Sequence, residues 1–354
     1  MMDTSIPYYS DLTRVSNSNI GWFLQKGPAY LHKMLTNPPP EEKNPVLERG
    51  TMIHEYLLQP EEFQKDYVVW DKSRPTSAQQ EKFCQALANT VEIEPNKAVL
   101  SAYKEAYSTA GKSDDKMLSE GLKIASTLKN YIDFLKENSG RIMISPWDYQ
   151  MLENIKRNVY SHKLANQIVW PGNGTKDKYH EGVHFETAKK SMWHEFHINW
   201  EWEMLLEYSG DPNPPEYLHV SCKSLLDGLT LDFQNKRAII YDLKTTQKLW
   251  HFEDSIEMYD YCRQLAYYTK AVQWYLQNEC NENFAKWTFE YYIIGIDTTG
   301  SNEIRVFKIE ESLVRSRMLT INKALRDICW HQYNNKWDHS REYYEGDGSE
   351  TLNL

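Results

Sequence analysis

The stretch that decides the fold runs from Ser221 to Trp250 and reads SCKSLLDGLTLDFQNKRAIIYDLKTTQKLW. Its two halves carry alternating apolar or β-branched residues, which are typical of strands, and FQNKR between them supplies turn residues. We therefore predict a β-hairpin. Asp227 lies in the first strand, and Asp242 follows fifteen residues later in the second, directly before Leu243 and Lys244.

The charged residues of this hairpin are expected to meet at one end of the sheet. Pairing around the turn brings Asp227 beside Asp242, and Lys244, two positions further on, points to the same face as Asp242. Two carboxylates and the main-chain carbonyl of Leu243 form a hard-oxygen site suited to Mg²⁺ or Mn²⁺. A neighbouring lysine can orient water and stabilise charge that develops on phosphorus. Taken alone, the hairpin still favours a plainer interpretation, an exposed hairpin with a surface ion pair.

Composition limits the classes of protein that fit. The 354 residues are 41% hydrophobic, enough for one large core or two modest ones. No apolar run approaches the roughly 20 residues that span a membrane, and the N-terminus lacks a signal-peptide pattern, so we expect a soluble, cytoplasmic protein. The five scattered cysteines favour reduced thiols. The net charge of −10 argues against non-specific coating of nucleic acid but allows a nuclease whose basic groups line one channel.

The order of predicted elements is helices, strands, helix, strands and helix, which indicates an α/β domain with helical additions. We predict one domain over residues 1–340. Within it, residues 8–72 form N-terminal helices, 73–140 a helical insertion and 141–335 the core, and an acidic, loosely ordered tail covers 341–354.

Three motifs resemble one nuclease superfamily. KSLLDGL followed by IIYDLKTT resembles the core of the PD-(D/E)XK nucleases, in which two acidic residues and a lysine build a metal site. RQLAYY, with Gln264 and Tyr268, resembles the Q-x-x-x-Y helix motif of the RecB-like branch. GTMIH, with Gly50 and His54, resembles the G-x-x-x-H element whose histidine joins the metal shell. The motif residues occur in the order of that branch: Gly50, His54, Asp227, Asp242, Lys244, Gln264 and Tyr268.

A narrower resemblance covers residues 8 to 335, with the insertion poorly matched. SNSNIGWFLQKGPAYLHKML, SPWDYQMLENIKRNV and CKSLLDG are similar to segments of the RecE-like exodeoxyribonucleases. The resemblance implies an α/β, restriction-endonuclease-like core, in which helices flank a central mixed sheet. It also implies 5′ to 3′ hydrolysis of linear double-stranded DNA with one or two Mg²⁺ or Mn²⁺ ions. A ring-like homo-oligomer and a single-strand annealing protein as partner in phage-type recombination or repair are implied as well.

The first metal ligand has two candidates. Leu226 stands where the superfamily has a proline, and the interval from Asp227 to Asp242 is a few residues long for the motif. Asp232, ten residues before Asp242, is therefore a rival. We prefer Asp227 because the flanking CK and G match the family phrase, and because Asp232, five positions on, faces away in an unbroken strand.

Several weaker candidates remain. Glu195 in HEFHINW resembles a strand glutamate of these nucleases, although a solvent-facing strand residue is the plainer interpretation. The histidines of this region do not form H-E-x-x-H, so we do not expect zinc; they are His180, His184, His194 and His197. Basic residues that could contact DNA are Lys223, Lys248 and Arg263, with Lys26 and Lys33 as further channel candidates.

Two other functions are compatible with the same residues. An endonuclease or a structure-specific repair nuclease would keep the fold and the metal site. A catalytically silent binding module is mildly favoured by the acidic charge, but a silent site would need none of Asp227, Asp242 and Lys244.

Overall fold

The computed structural model of the protein describes residues 5–40, 44–92, 94–170, 183–186, 190–205 and 217–350. The chain divides into two compact units. One comprises Met1–Gln59 with Asn154–Leu354, and the other comprises Pro60–Glu153. The assignment of residues 1–340 to one nuclease domain stays a prediction.

The helices and strands are numbered in chain order. The helices are α1 (Asn17–Lys26), α2 (Pro28–Thr36), α3 (Pro45–Leu58), α4 (Pro60–Asp66), α5 (Ala78–Ala88), α6 (Pro95–Ala106), α7 (Asp114–Thr127), α8 (Lys129–Glu137), α9 (Pro146–Ser161), α10 (Lys163–Val169), α11 (Phe252–Met258), α12 (Tyr261–Asn278), α13 (Glu311–Asn334) and α14 (Arg341–Glu345). The strands are β1 (Tyr67–Val69), β2 (Ile142–Ile144), β3 (Val183–Glu186), β4 (Lys190–Leu205), β5 (Tyr217–Asp232), β6 (Arg237–Thr246), β7 (Thr288–Asp297) and β8 (Ile304–Ile309).

A six-stranded mixed sheet forms the centre of the first unit. Its strand order follows the chain from β3 to β8, with β6 and β7 parallel and the other neighbours antiparallel. The predicted hairpin is formed by β5 and β6, and Asp232 pairs with Arg237 on either side of its turn. The expectation of a mixed α/β fold is thus confirmed.

Helix α12 packs across β4, β5 and β6 and also contacts α13. Leu265, Val272 and Leu276 are fully buried on α12 at positions that share one helical face. Burial of each such side chain contributes roughly 1.5–3 kcal/mol. Helix α3 contacts β6 as well. The core therefore fixes two helices beside the strand that carries Asp242 and Lys244.

The second unit is helical, with its own core. Phe83, Tyr103 and Tyr131 are buried together between its helices, and β1 and β2 form a short parallel pair. The predicted insertion at 73–140 falls within this longer unit.

Three smaller observations concern expectations from the sequence. In the part of the chain that the structure describes, no helix has the length and apolar character needed to cross a membrane. All five cysteines are free thiols. Part of the predicted loose tail forms α14, whose first turn is capped by the side chain of Ser340.

Candidate metal centre

The hairpin brings the predicted residues together where β5 and β6 stop pairing. The last backbone pair on this side joins Gly228 to Tyr241. Beyond it, the Asp227 carboxylate accepts a hydrogen bond from the main-chain N–H of Leu243 at 2.6 Å. A Cβ atom on Gly228 would lie only 1.9 Å from the Tyr241 ring. The glycine after Asp227 is therefore required by the close approach of that ring.

His54 reaches this end of the hairpin from helix α3. Its Nε2 lies 3.1 Å from the Leu243 carbonyl oxygen, and its Nδ1 lies 3.6 Å from Asp227 Oδ2 and 3.8 Å from Glu195 Oε1. Burial lowers the pKa of His54, but Asp227 and Glu195 outweigh it and raise the pKa to about 9. Without a metal ion, His54 is therefore an imidazolium at neutral pH.

Glu195 enters the same cluster through an unusual backbone conformation. Its neighbours His194 and Phe196 pair with Gly228 and Leu226, so Glu195 lies opposite Asp227. Its φ of 47° is in the left-handed region, which is uncommon for residues other than glycine and often marks functional sites. The Glu195 side chain is only 14% exposed, unlike the solvent-facing strand residue considered above.

Three side chains are arranged so that they could hold a metal ion. One ligand atom from each of His54, Glu195 and Asp227 lies within 4.8 Å of the others. Burial raises the pKa of Asp227, and the negative charge of Glu195 acts in the same direction. Adjacent buried carboxylates are costly unless a positive charge compensates them. Carboxylate oxygens and one imidazole suit a divalent cation, so the residues present fit such an ion.

Asp242 and Lys244 form an ion pair beside this cluster. The Asp242 side chain is 1% exposed, and its Oδ2 lies 2.6 Å from Lys244 Nζ. Burial raises the pKa of Asp242 to about 6. Burial lowers the pKa of Lys244, but Asp242 and Asp227 raise it more, so the ammonium stays charged. Asp242 lies outside the group of three ligand atoms, and its role as a metal ligand stays a prediction, as does that of the Leu243 carbonyl, which faces His54.

The Q-x-x-x-Y motif lies directly behind Asp242. The Gln264 amide donates hydrogen bonds to Asp242 Oδ1 at 2.9 Å and to the Tyr268 hydroxyl at 2.7 Å. Because the two residues are one turn apart on α12, both meet the same carboxylate region. The motif therefore orients the Asp242 carboxylate.

Tyr261 is a residue of this region that sequence reasoning missed. Its ring centroid lies 5.1 Å from Lys244 Nζ. Tyr261 precedes Gln264 by three residues and Tyr268 by seven, a spacing that places all three on one helical face. This spacing could have identified Tyr261 from the sequence.

The rival first ligand lies elsewhere. Asp232 is at the turn of the hairpin and accepts hydrogen bonds from the main-chain and side-chain nitrogens of Asn235, both at 2.9 Å. The geometry therefore favours Asp227.

Two of the basic residues that we predicted to contact DNA, Lys223 and Arg263, are buried inside the protein. The Lys223 ammonium is buried, and it donates to the carbonyls of Tyr8, at 2.6 Å, and of Asp11. Arg263 is also buried, where it packs against Gly21 and lies 3.3 Å from Asn17 Oδ1. In this arrangement neither side chain offers its charge to a DNA backbone, which corrects our expectation for both.

The other basic residues that we predicted to contact DNA are exposed. Lys248 is exposed two residues after the end of β6, and Lys26 and Lys33 are exposed on α1 and α2.

The two histidines of HEFH that the structure describes do not converge. His194 Nε2 lies 2.8 Å from the Val169 carbonyl, whereas His197 Nε2 lies 2.9 Å from Asn199 Oδ1. The side chains of His180 and His184 lie outside the described residues.

Comparisons with known proteins add little to this geometry. No family model matches the chain, and no curated protein matches it in sequence. Among solved structures, it is similar to a crystal structure from Eubacterium rectale described as a "Putative exonuclease". The TM-score is 0.45 at 12% identity, and the match covers 100% of this chain and 96% of the other. This similarity is too weak to carry a conclusion.

Proposed function

We propose that this protein is a divalent-metal-dependent DNA exonuclease with a PD-(D/E)XK core, similar to the RecE-like enzymes. One observation carries the proposal. The partly buried His54–Glu195–Asp227 cluster and the Asp242–Lys244 pair converge where β5 and β6 separate. Their order along the chain is that of the RecB-like branch.

One or two Mg²⁺ or Mn²⁺ ions are the cofactor that this donor set suits best. The residues that would hold them are His54, Glu195, Asp227, Asp242 and the Leu243 carbonyl. When bound, such an ion polarises the scissile phosphate and lowers the pKa of a coordinated water.

The chain supplies the remaining functions of the site. Because Lys244 is charged, we assign it the orientation of the attacking water and the stabilisation of negative charge on the phosphate. Gln264 holds the Asp242 carboxylate in place, and the Tyr268 hydroxyl accepts the second hydrogen bond of the same amide. This support limits the orientations open to Asp242.

The finer features of the proposal come from the family resemblance. They are 5′ to 3′ polarity, linear duplex DNA as substrate, a ring-like homo-oligomer, and a single-strand annealing protein as partner in phage-type recombination or repair. A ring would reconcile the net charge of −10 with DNA binding, because an acidic exterior can coexist with a locally basic channel. Lys248 is the exposed cation that follows the proposed catalytic strand.

Digestion of end-labelled linear duplex DNA tests the proposal. We expect the wild type to release nucleotides from the ends with Mg²⁺ and to stop when EDTA is added. Asp242→Ala and Lys244→Ala should lose this activity. If all three proteins behave equally in this assay and independently of metal, the proposed enzymatic activity is wrong, and a silent binding module is favoured.

The same assay with closed-circular DNA separates the alternatives. An exonuclease leaves the circle intact, whereas cleavage of the circle identifies an endonuclease of the same fold. Labels placed separately at the 5′ and 3′ ends report polarity.

A further inference from the structure

Two large apolar side chains are exposed where α11 ends and α12 begins. This segment, here called the aromatic loop, comprises residues 258–261, from the last residue of α11 to the first residue of α12, and reads MYDY. Met258 is 70% exposed and Tyr259 is 58% exposed. Single exposed apolar side chains are ordinary, but adjacent ones are candidates for a contact surface.

The aromatic loop is connected to the proposed catalytic residues by direct contacts. The Tyr259 ring is stacked on the Tyr261 ring, with centroids 5.8 Å apart and an angle of 22° between planes. The Tyr261 ring in turn lies 5.1 Å from Lys244 Nζ, and that nitrogen lies 2.6 Å from Asp242. Tyr259 is therefore one ring beyond the group that we assign to the scissile phosphate.

Helix α12 fixes the direction of this arrangement. Tyr261 is its first residue and shares a face with Gln264 and Tyr268. That face supports Asp242 in the interior and ends at the Tyr261–Tyr259 stack at the surface. An aromatic surface thus continues the catalytic face outward.

The backbone of the aromatic loop is held in place. Asp260 has a φ of 48°, in the left-handed region, and its carboxylate lies 2.7 Å from Arg317 Nε. The Asp260 carbonyl also accepts a hydrogen bond from the N–H of Arg263. Strained residues persist where surrounding contacts fix them, and a preorganised contact surface loses less entropy on binding.

We propose that Tyr259 stacks on a nucleobase of the DNA strand that enters the site, next to the scissile phosphate. This inference rests on the proposed nuclease function and adds a requirement to it. Every base has a π-face, so stacking tolerates any sequence. A terminal base exposes one face, and Tyr259 would cover that face as the strand enters the site.

Binding of labelled single-stranded oligonucleotides tests the stacking separately from hydrolysis. The oligonucleotides carry phosphorothioate linkages, which slow cleavage, and an abasic residue is moved through the terminal positions. We expect the wild type to bind about tenfold more weakly when the abasic residue falls at the stacked position, as the loss of one base–aromatic stack predicts. Tyr259→Ala and Tyr259→Leu should bind intact and abasic strands equally, whereas Tyr259→Phe should keep the preference.

Tyr333→Ala is a matched control, because Tyr333 is a tyrosine of similar exposure, 61%, on α13. It should behave as the wild type. A wild type that binds every abasic strand as tightly as the intact one overturns the proposal, and so does a preference that survives in Tyr259→Leu. This holds even if Tyr259→Ala fails to fold.

Cleavage of unmodified linear duplex by the same preparations tests the proposed function itself. If the wild type cleaves DNA but binds intact and abasic strands equally, only the stacking proposal is wrong. If the wild type cleaves no DNA with Mg²⁺, the proposed function is wrong, whether or not the protein prefers intact strands over abasic ones.

Discussion

The two ends of the β5–β6 hairpin each carry an aspartate on β5, and the surroundings of the two are opposite. At the turn, burial would raise the pKa of Asp232, but hydrogen bonds from Asn235 outweigh it and hold the pKa below its usual range. At the other end, burial raises the pKa of Asp227, and Glu195 adds to the effect. One carboxylate is satisfied by its own turn, while the other is buried beside another acid at a cost in free energy. An aspartate that stabilises a turn differs in this way from the one to which we assign the binding of a cation.

The largest expected effect separates the two aspartates by activity. Asp227→Asn should lower the Mg²⁺-dependent release of nucleotides by about a thousandfold, because the ion supplies several kcal/mol of charge stabilisation. Asp232→Asn, the matched change at the turn, should keep activity near that of the wild type. Rates on end-labelled duplex measure both. A larger loss in Asp232→Asn would reverse the assignment of the first ligand.

The second effect concerns metal binding without any DNA. Mn²⁺ at about a hundred times its dissociation constant should stabilise the wild type by about 2.7 kcal/mol, because the ion binds the folded state. Thermal unfolding with and without Mn²⁺ measures this as a rise in Tm. The rise should disappear in Glu195→Gln and persist in Asp232→Asn. An equal rise in all three proteins would place the ion elsewhere.

The third effect concerns the glycine that follows Asp227. Gly228→Ala should lower the free energy of unfolding by about 2 kcal/mol, because its Cβ would overlap the Tyr241 ring. Gly50→Ala on α3 is the control, since that Cβ would meet only Thr245 Oγ1 at 3.4 Å. There we expect a gain of up to about 1 kcal/mol, because alanine favours a helix. Urea unfolding measures both, and equal effects would contradict the packing at Gly228.

The smallest effect is expected at the turn. Lys236 and Glu282 form a partly exposed ion pair with atoms 2.7 Å apart. Lys236→Met should therefore cost less than about 1 kcal/mol in the free energy of unfolding, and the cost should shrink in 1 M NaCl. Urea unfolding at low and high salt checks this. A cost above that of Gly228→Ala would mean that charges at the turn stabilise the hairpin more than its packing does.

Local sequence rules predicted the features of the site that depend on neighbours along the chain. The period of two placed Asp242 and Lys244 on one face, and the turn after Asp232 fell where turn residues cluster. The one-turn spacing of Gln264 and Tyr268 predicted that both could face the same group, and both lie behind Asp242. These are consequences of strand and helix geometry alone.

Long-range contacts account for what the sequence could not predict. A lysine in a strand is usually exposed, but Lys223 is buried because carbonyls more than 200 residues away, on Tyr8 and Asp11, accept hydrogen bonds from its ammonium group. Arg263 is buried against α1 for a similar reason. The sequence HEFHINW does not predict the left-handed conformation of Glu195, because position 195 holds neither glycine nor asparagine, the residues that usually mark it.

The backbone conformation at position 195 also limits which substitutions can be tolerated there during evolution. The backbone there would be most relaxed with glycine, whereas the metal site that we propose with His54 and Asp227 needs a carboxylate. The two demands exclude each other for most residues, so mutation at this position has few neutral paths. A descendant that acquires glycine at 195 should be at least as stable as its parent yet bind the ion poorly. In such a lineage, a single change would remove a ligand of the proposed metal site and would also relax the backbone.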